Sequence, residues 1–241
     1  MSHVRPRAFR VVSYNIHSCI GSDRRASAER ILHVLREIEA DVVALQEVGH
    51  DSLVDGLEQF AFFEQNLAMA GVHGVNLRRG KHAFGNALFT RGDIRDFHLE
   101  DLSVTSFEPR GAIDCSIRLG DHVIRVVATH LGLYPYERRE QLDRLGRVLT
   151  LRRNALTVVL GDFNIFGLER RVLRRAGAPP RLPRLRTFPA RRPLMSLDRI
   201  WTLPNDQVVH SHVHRTPLSR SASDHLPIVA DIAWMDEPAL A

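Results

Sequence analysis

Short apolar stretches recur along the chain, and most of them end in a polar residue. Phe9 to Ile16, with Val11, Val12 and Tyr14, has the β-branched and aromatic content of a strand. The period then changes. Ile31, Leu35 and Ile38 fall on one helical face, Leu32 and Val34 flank it, and Ser27 with Glu29 supplies a start. Asp41 to Gln46 is a short, strongly apolar strand of the kind buried on both faces. A helix is expected over 51–70, and strands over 83–90, 111–118 and 122–131. Leu142, Leu145, Val148 and Leu149 give residues 135–152 helical spacing. The apolar segment 155–161 reads as another strand, and strands return at 196–203, 207–213 and 226–234. There is no internal repeat and no linker poor in apolar residues. The pattern predicts a single mixed α/β domain over 1–241, with its core spanning about 9–233.

Composition narrows the class. Of 241 residues, 44% are hydrophobic and 25% charged, which is ordinary globular usage and argues against disorder. No apolar run exceeds four residues, whereas a membrane-spanning helix needs about 20. The start, MSHVRPRAFRVV, lacks the apolar region of a secretory signal. Cys19 and Cys115 make neither a disulfide framework nor a zinc site. A cytoplasmic protein is expected. Basic residues number 33 and acidic ones 28, a net charge of +5, and Lys81 is the only lysine. Arginine suits bidentate phosphate contact, although a GC-rich genome would also write it. The charge favours a polyanionic partner, either nucleic acid or an anionic membrane surface. No obligate protein partner is evident. Residues 176–193 stand apart, rich in proline (179, 180, 183, 189 and 193) and flanked or occupied by arginine (174, 175, 181, 184, 186, 191 and 192). This segment reads either as a solvated loop or as a basic flap over a polyanion.

The polar residues that close the apolar stretches are of types that handle metals and phosphate. Asn15 follows the first strand, Glu47 the second, and His130 closes Val126-Val-Ala-Thr-His130. Asp162 and Asn164 end the 155–161 segment, Asp198 sits in Ser196-Leu-Asp-Arg-Ile-Trp201, and Asp224-His225 precede the last strand. In α/β sheets functional groups gather outside strand ends, where rigid backbone holds them and their tips reach solvent. One such Asp is usually a cap; so many in one chain are harder to dismiss. Asn86, in Gly85-Asn-Ala-Leu88, could bind substrate or cap a strand. His210, His212 and His214 alternate and share a strand face, which reads as a solvent-facing edge rather than a metal site. Cys19, without a paired histidine, reads as a buried thiol.

These residues occur in a known order. Asn15 in SYNIH, Glu47 in LQEV, His130 in THL, Asp162 and Asn164 in GDFN, Asp198 in LDRI and Asp224-His225 in SDH together resemble the endonuclease/exonuclease/phosphatase superfamily. The chain is most similar to its small stand-alone bacterial members, which share GNA-L-R around residue 86, RG near 110, and RTFP followed by LDRI. The resemblance implies a DNase I-like two-sheet β-sandwich core flanked by helices, a four-layer α/β sandwich with the active site at one edge. It also implies a Mg²⁺-dependent phosphoric ester hydrolase, with Mn²⁺ able to substitute. Glu47, with Asn15 alongside and Asp224 nearby, would hold the metal. Asp162 would orient or deprotonate the attacking water, and Asn164 would hydrogen-bond water or phosphate. His225 would lie beside the phosphate with Asp198 fixing its tautomer, and His130 would be a second phosphate contact. Arg110, in Glu108-Pro-Arg-Gly-Ala112, resembles an arginine aimed at the phosphate backbone, and Asn86 a substrate contact. Whether Asp162 or His225 is the base stays open. The chemistry needs such a set: charge on non-bridging oxygens must be neutralised, a water presented and the leaving oxygen assisted.

Nucleic acid is the expected substrate class, on the charge and the arginine-rich segment. The alternative is a lipid phosphodiesterase of the sphingomyelinase or phospholipase C type, suggested by Ile165, Phe166, Leu131, Leu133 and Tyr134 near the motifs. Behind these stand a phosphomonoesterase and a non-catalytic binding module. The WxGDLN form of the motif is absent and 241 residues leave little room for inserted DNA-gripping elements, which disfavours inositol phosphatase and abasic-site repair activity.

Overall fold

A computed structural model of the chain describes residues 8–49, 56–79, 82–151 and 156–234. Residues 51–55 and 152 of two expected helices and 155 of an expected strand lie outside them, as do 1–7 and 235–241 of the expected domain. In chain order the elements are β1 (Ala8–Asn15), α1 (Ala28–Ile38), β2 (Val42–Val48), α2 (Gly56–Leu67), β3 (Ala70–Arg79), β4 (His82–Thr90), β5 (Asp93–Asp101), β6 (Gly111–Leu119) and β7 (His122–His130). There follow α3 (Pro135–Leu151), β8 (Thr157–Asp162), β9 (Asp198–Leu203), β10 (Val208–Val213), the short α4 (Ser219–Ala222) and β11 (Ile228–Ala233). Turns of 3₁₀ helix occupy His17–Cys19 and Gly167–Ala176.

The strands form two mixed sheets, ordered β10-β11-β1-β2-β4-β3 and β5-β6-β7-β8-β9. Their facing sides make the central core: Val11, Val42 and Ala44 from one sheet meet Val126, Ala128, Val158 and Leu160 from the other. The alternate residues Val12, Tyr14, Val43 and Leu45 point outward, onto Ile31, Leu35 and Ile38 of α1 and Phe63 of α2. On the other outer face Val127, Val159 and Trp201 pack on Leu142, Leu145 and Leu149 of α3. The result is the expected four-layer sandwich, helices outside and two sheets within. It also explains why β1, β2, β7 and β8 read as nearly continuous apolar runs: both of their faces are covered.

Two strands had no reading in the sequence. β5 is exposed along almost its whole length and carries Asp93, Arg95, Asp96, Glu100 and Asp101, so no apolar alternation marks it. It is the edge strand of its sheet, where charged side chains discourage pairing with other chains. β3 is the edge of the other sheet and is interrupted by Gly71 and Gly74. The histidines of β10 lie on that sheet's opposite edge. His210 and His212 stack with ring centroids 5.2 Å apart, while His214 bonds Glu37 on α1 at 2.7 Å.

Gly161 shows how tightly the site end of the second sheet is built. Its φ is +152°, and a Cβ there would lie 1.9 Å from the Thr129 carbonyl oxygen on β7. Only glycine allows β8 to approach β7 so closely. Gly161→Ala is expected to lower the unfolding free energy by roughly 2–5 kcal/mol, from backbone strain plus overpacking. A urea melt compared with the parent protein measures it; an unchanged midpoint would show that the strands can part at no cost.

Candidate active site

Strand register collects the polar residues at one end of the sandwich. β1 and β2 run parallel with Asn15 opposite Gln46, so Glu47 lies one residue beyond. β7 and β8 run parallel with His130 opposite Asp162, and β9, antiparallel to β8, begins with Asp198 opposite that same Asp162. β11 is antiparallel to β1 with Ile228 opposite Ser13, which brings Asp224 and His225 to this end. Arg110 immediately precedes β6, whose Ala112 faces Thr129, and Gly85, next to Asn86, faces Val48. The backbone is unusual here. Glu47 (φ +57°) and Asn164 (φ +52°) occupy the left-handed region without being glycine, each conformation costing about 1–3 kcal/mol. A bulge between Leu45 and Val48 turns Glu47 out of the ladder. Asn164 is held by its N–H donating to Asp162 Oδ1 at 2.9 Å and its side-chain amide donating to the Leu131 carbonyl at 2.9 Å.

Asp162 is the centre of the arrangement and is almost wholly buried. Its Oδ2 accepts from Asn15 Nδ2 at 3.1 Å and lies 3.7 Å from Nε2 of both His130 and His225. The same Asn15 nitrogen donates to Glu47 Oε1 at 2.9 Å, while Asn15 Oδ1 accepts from the His17 N–H at 3.1 Å. Asn15 therefore clamps two carboxylates with its nitrogen, and as oriented its oxygen is turned away from them.

Each histidine is held from behind through Nδ1. His225 Nδ1 donates to Asp198 Oδ2 at 3.0 Å, and the same oxygen accepts a short bond from the Thr187 hydroxyl. His130 Nδ1 lies 3.0 Å from Arg110 Nη1. A guanidinium only donates, so Nδ1 accepts from it, while Nε2 lies 3.2 Å from the Asn164 amide nitrogen and 3.7 Å from Asp162 Oδ2. Arg110 is in turn paired with Glu108 at 3.1 Å. Both rings thus present Nε2 to the same carboxylate oxygen.

The electrostatics follow from crowding in a dry place. Burial pushes the Asp162 carboxyl up and the Asp198 charge adds to it; His225 and the bonds from Asn164 and Asn15 pull the other way, leaving it at about 6. For His225, burial opposes the charged form, but the carboxylates of Asp198 and Asp162 outweigh it and raise the imidazole to about 10. The site thus holds an imidazolium between two carboxylates, one of them close to the pKa that suits a general base. Cys19 plays no such part: burial raises its thiol to about 12.

Two carboxylate groupings could bear on a metal. Ligand atoms of Asp162, Asp198 and His225 lie within 4.8 Å of one another. However, Asp198 Oδ2 is already committed to Thr187 and His225, and its Oδ1 is fully enclosed. That leaves no room for the waters a hard divalent ion keeps. Glu47, half-buried and one amide away from Asp162 Oδ2, offers hard oxygens with access to solvent. This donor set fits such a cation. Asp224 and Asn86 stand slightly apart. Asp224 lies 3.7 Å from His17 Nδ1 and 3.4 Å from Ser223 Oγ. Asn86 donates to the Gly111 carbonyl at 3.2 Å, and its buried Oδ1 has no hydrogen-bond partner among the described residues.

Sequence reasoning assigned no role to three residues that the structure places in the site. Ser223 donates to the Asn15 carbonyl at 2.8 Å and accepts the His225 N–H at 3.3 Å, tying the SDH turn to the end of β1. Thr187 supports Asp198, and the Phe188 ring lies 4.9 Å from that of His225. The RTFP motif was their signal. Backbone bonds from Ala190 N to Asp224 O (2.7 Å) and Leu226 N to Thr187 O (2.9 Å) bind this part of the arginine-rich segment across the site, so it is not a free solvated loop. Thr187→Val keeps the shape but removes a hydrogen bond to a buried carboxylate, an interaction of about 1.5–3 kcal/mol. The expected result is a kcat about ten- to a hundredfold lower with KM little changed. An unaltered kcat would mean that Asp198 needs no second support.

Residues 12–225 match the model of the Endonuclease/Exonuclease/phosphatase family. The uncharacterized protein YbhP of Escherichia coli K12 is 30% identical over an alignment covering 93% of this chain and 96% of that one. An endonuclease/exonuclease/phosphatase structure from Beutenbergia cavernae superposes with a TM-score of 0.74 at 22% identity, covering 98% of this chain and 74% of the other. Truncated Caenorhabditis elegans TDP2 does so at 0.67 and 17%, covering 94% and 98%. With a match of this extent and a two-sheet sandwich of the DNase I-like type, the chain belongs to the endonuclease/exonuclease/phosphatase family of phosphoric ester hydrolases.

Proposed function

We propose that the protein is a Mg²⁺-dependent phosphodiester hydrolase acting on nucleic acid, through a water that attacks phosphorus. The observation that carries this reading is the convergence on Asp162, whose Oδ2 has a histidine Nε2 at 3.7 Å on each side and the Asn15–Glu47 pair adjoining. Asp162 would take the proton of the attacking water. His225, His130 and the Asn164 amide would hold non-bridging oxygens, with Asp198 and Arg110 keeping the two rings in register. Mg²⁺, held by Glu47 with Asn15 and Asp224 near it, would supply neutralisation of phosphate charge. Arg110 and Asn86 line a cavity of about 270 Å³ beside His130 and are the substrate contacts in this reading. The net charge of +5 and the arginines of the 174–192 region favour nucleic acid. Two free, buried cysteines suit a reducing compartment, and we place the protein in the cytoplasm.

One observation favours a lipid substrate instead: Leu133, Tyr134 and Phe166, which follow two of the motifs, are exposed, whereas Leu131 and Ile165 are core residues. Among the described residues no helix is long and apolar enough to cross a membrane. Hydrolysis of plasmid, oligonucleotide and lipid phosphodiesters with Mg²⁺, Mn²⁺ or EDTA separates the readings. Metal-dependent cleavage of nucleic acid alone is expected; cleavage of lipid alone would overturn the substrate, and full activity in EDTA the metal.

A further inference from the structure

A cavity of about 490 Å³ is lined by Phe166, Arg171, Arg184, Arg186, Leu194 and Arg199. A second cavity of about 220 Å³ shares Arg171, Arg184 and Arg199 with it and adds Arg174. Four of these arginines (171, 174, 184 and 186) are exposed, but Arg199 is only 3% exposed. Its guanidinium is fixed by bonds to the carbonyls of Asp198 (2.8 Å) and Ile165 (3.2 Å). A buried arginine cannot shed its proton, so the cavity has a permanent positive group on a rigid mount.

The cavity is tied to the site by chain connectivity. Phe166 is two residues beyond Asn164, Arg199 follows Asp198, and Arg186 precedes the Thr187 that hydrogen-bonds Asp198. Two residues of extended chain span at most about 7 Å. The cavity therefore comes, at Phe166, within about 7 Å of the Asn164 backbone. Its chemistry is guanidinium, the fork that matches phosphate, and the ring at its mouth, Phe166, is 53% exposed. Arginines beside an exposed aromatic are the pairing that holds a single nucleic-acid strand, phosphates on the charges and a base on the ring.

We infer that this cavity is a second phosphate site, which takes the phosphodiester next to the scissile one in a single nucleic-acid strand and stacks the intervening base on Phe166. The inference rests on the phosphodiesterase reading above and adds a length requirement to it. A substrate with one phosphodiester leaves the cavity unused; a longer strand fills it.

The test separates binding from turnover. A fluorescently labelled single-stranded 12-nucleotide DNA is titrated in EDTA at several salt concentrations against three proteins. These are the parent, the triple variant Arg171→Gln/Arg184→Gln/Arg186→Gln, and a charge-matched control, Arg36→Gln/Arg95→Gln/Arg147→Gln, altered away from the cavity. Because the cavity neutralises one phosphate, the log–log salt slope should flatten by about 0.7 in the cavity variant, and affinity at low salt should fall at least about tenfold. The control should show much less of both. Phe166→Ala should weaken binding about fivefold or more without changing the slope. In turnover, the cavity variant should lose far more on the oligonucleotide than on bis(p-nitrophenyl) phosphate. Equal losses in the two triple variants, or an unchanged slope in the first, would overturn the inference. So would a cavity variant that loses affinity for phosphatidylglycerol vesicles but not for DNA. If no diester is cleaved with any metal while the cavity variant still loses the slope, the phosphodiesterase reading falls and the phosphate site stands.

Discussion

Glu47→Gln is expected to lower phosphodiester kcat/KM at least about a thousandfold, because a metal acting as Lewis acid supplies several kcal/mol and each decade of rate corresponds to about 1.4 kcal/mol. The exchange removes a charge and almost no volume. Glu47 sits half-buried at the end of β2 rather than in a core layer, and a glutamine oxygen can still accept from Asn15 Nδ2, which now lies 2.9 Å from Oε1. Stability should therefore stay within about 0.5 kcal/mol of the parent. Titration calorimetry with Mn²⁺ reports the metal without any turnover: the parent should release or absorb heat on binding and the variant should not. Near-parental turnover of the variant at saturating Mg²⁺, or an undiminished Mn²⁺ isotherm, would show that the metal is held elsewhere. The first place to look would then be the grouping of Asp162, Asp198 and His225.

Much of the site was legible because of how its strands are buried. β1, β2, β7 and β8 are covered on both faces, so each is an apolar run, and the polar residues that close the run mark the open end of the sheet. Asn15, Glu47, His130 and Asp162 are all of this kind. The order of the motifs supplied the two-sheet fold, which apolar periodicity alone could not have separated from other α/β arrangements. What stayed hidden depends on contacts between residues far apart in the chain. Nothing local to Thr187 says that its hydroxyl will meet Asp198, and nothing local to Phe188 says that its ring will lie by His225. The 176–193 segment has the proline and arginine content of a solvated loop, and only the backbone bonds at Thr187 and Ala190 show it to be strapped over the site. Its arginines also divide: Arg184 and Arg186 turn into the cavity beside Phe166, Arg181 lines a different cleft with His210, and Arg191 bonds Ser22. The two unread strands, β3 and β5, are edges whose polar faces carry no period.

His225→Ala is expected to reduce kcat by about a hundred- to a thousandfold, the usual loss when one preorganised donor to a developing oxyanion is removed. Asp198→Asn should approach that loss, although Asp198 is fully buried and touches no substrate. Its Oδ2 receives Nδ1–H of His225 at 3.0 Å, and this bond both selects the tautomer and favours the imidazolium. An asparagine there removes the negative charge that favours the imidazolium, and by turning its amide nitrogen toward the ring it would make Nδ1 the acceptor and leave a neutral Nε2–H, a weaker hold on a phosphate oxygen. If Asp198 acts only through His225, the double variant should be little worse than His225→Ala alone, and the coupling should recover nearly the whole effect of the single Asp198→Asn change. Thr187→Val, which acts one step further back along the same chain of bonds, should likewise become silent once His225 is alanine. Single-turnover rates for the four proteins of the cycle, with melting curves to confirm that each is folded, give the coupling directly. Strictly additive losses would mean that Asp198 and His225 serve separate functions, and would return Asp198 to the candidates for the metal.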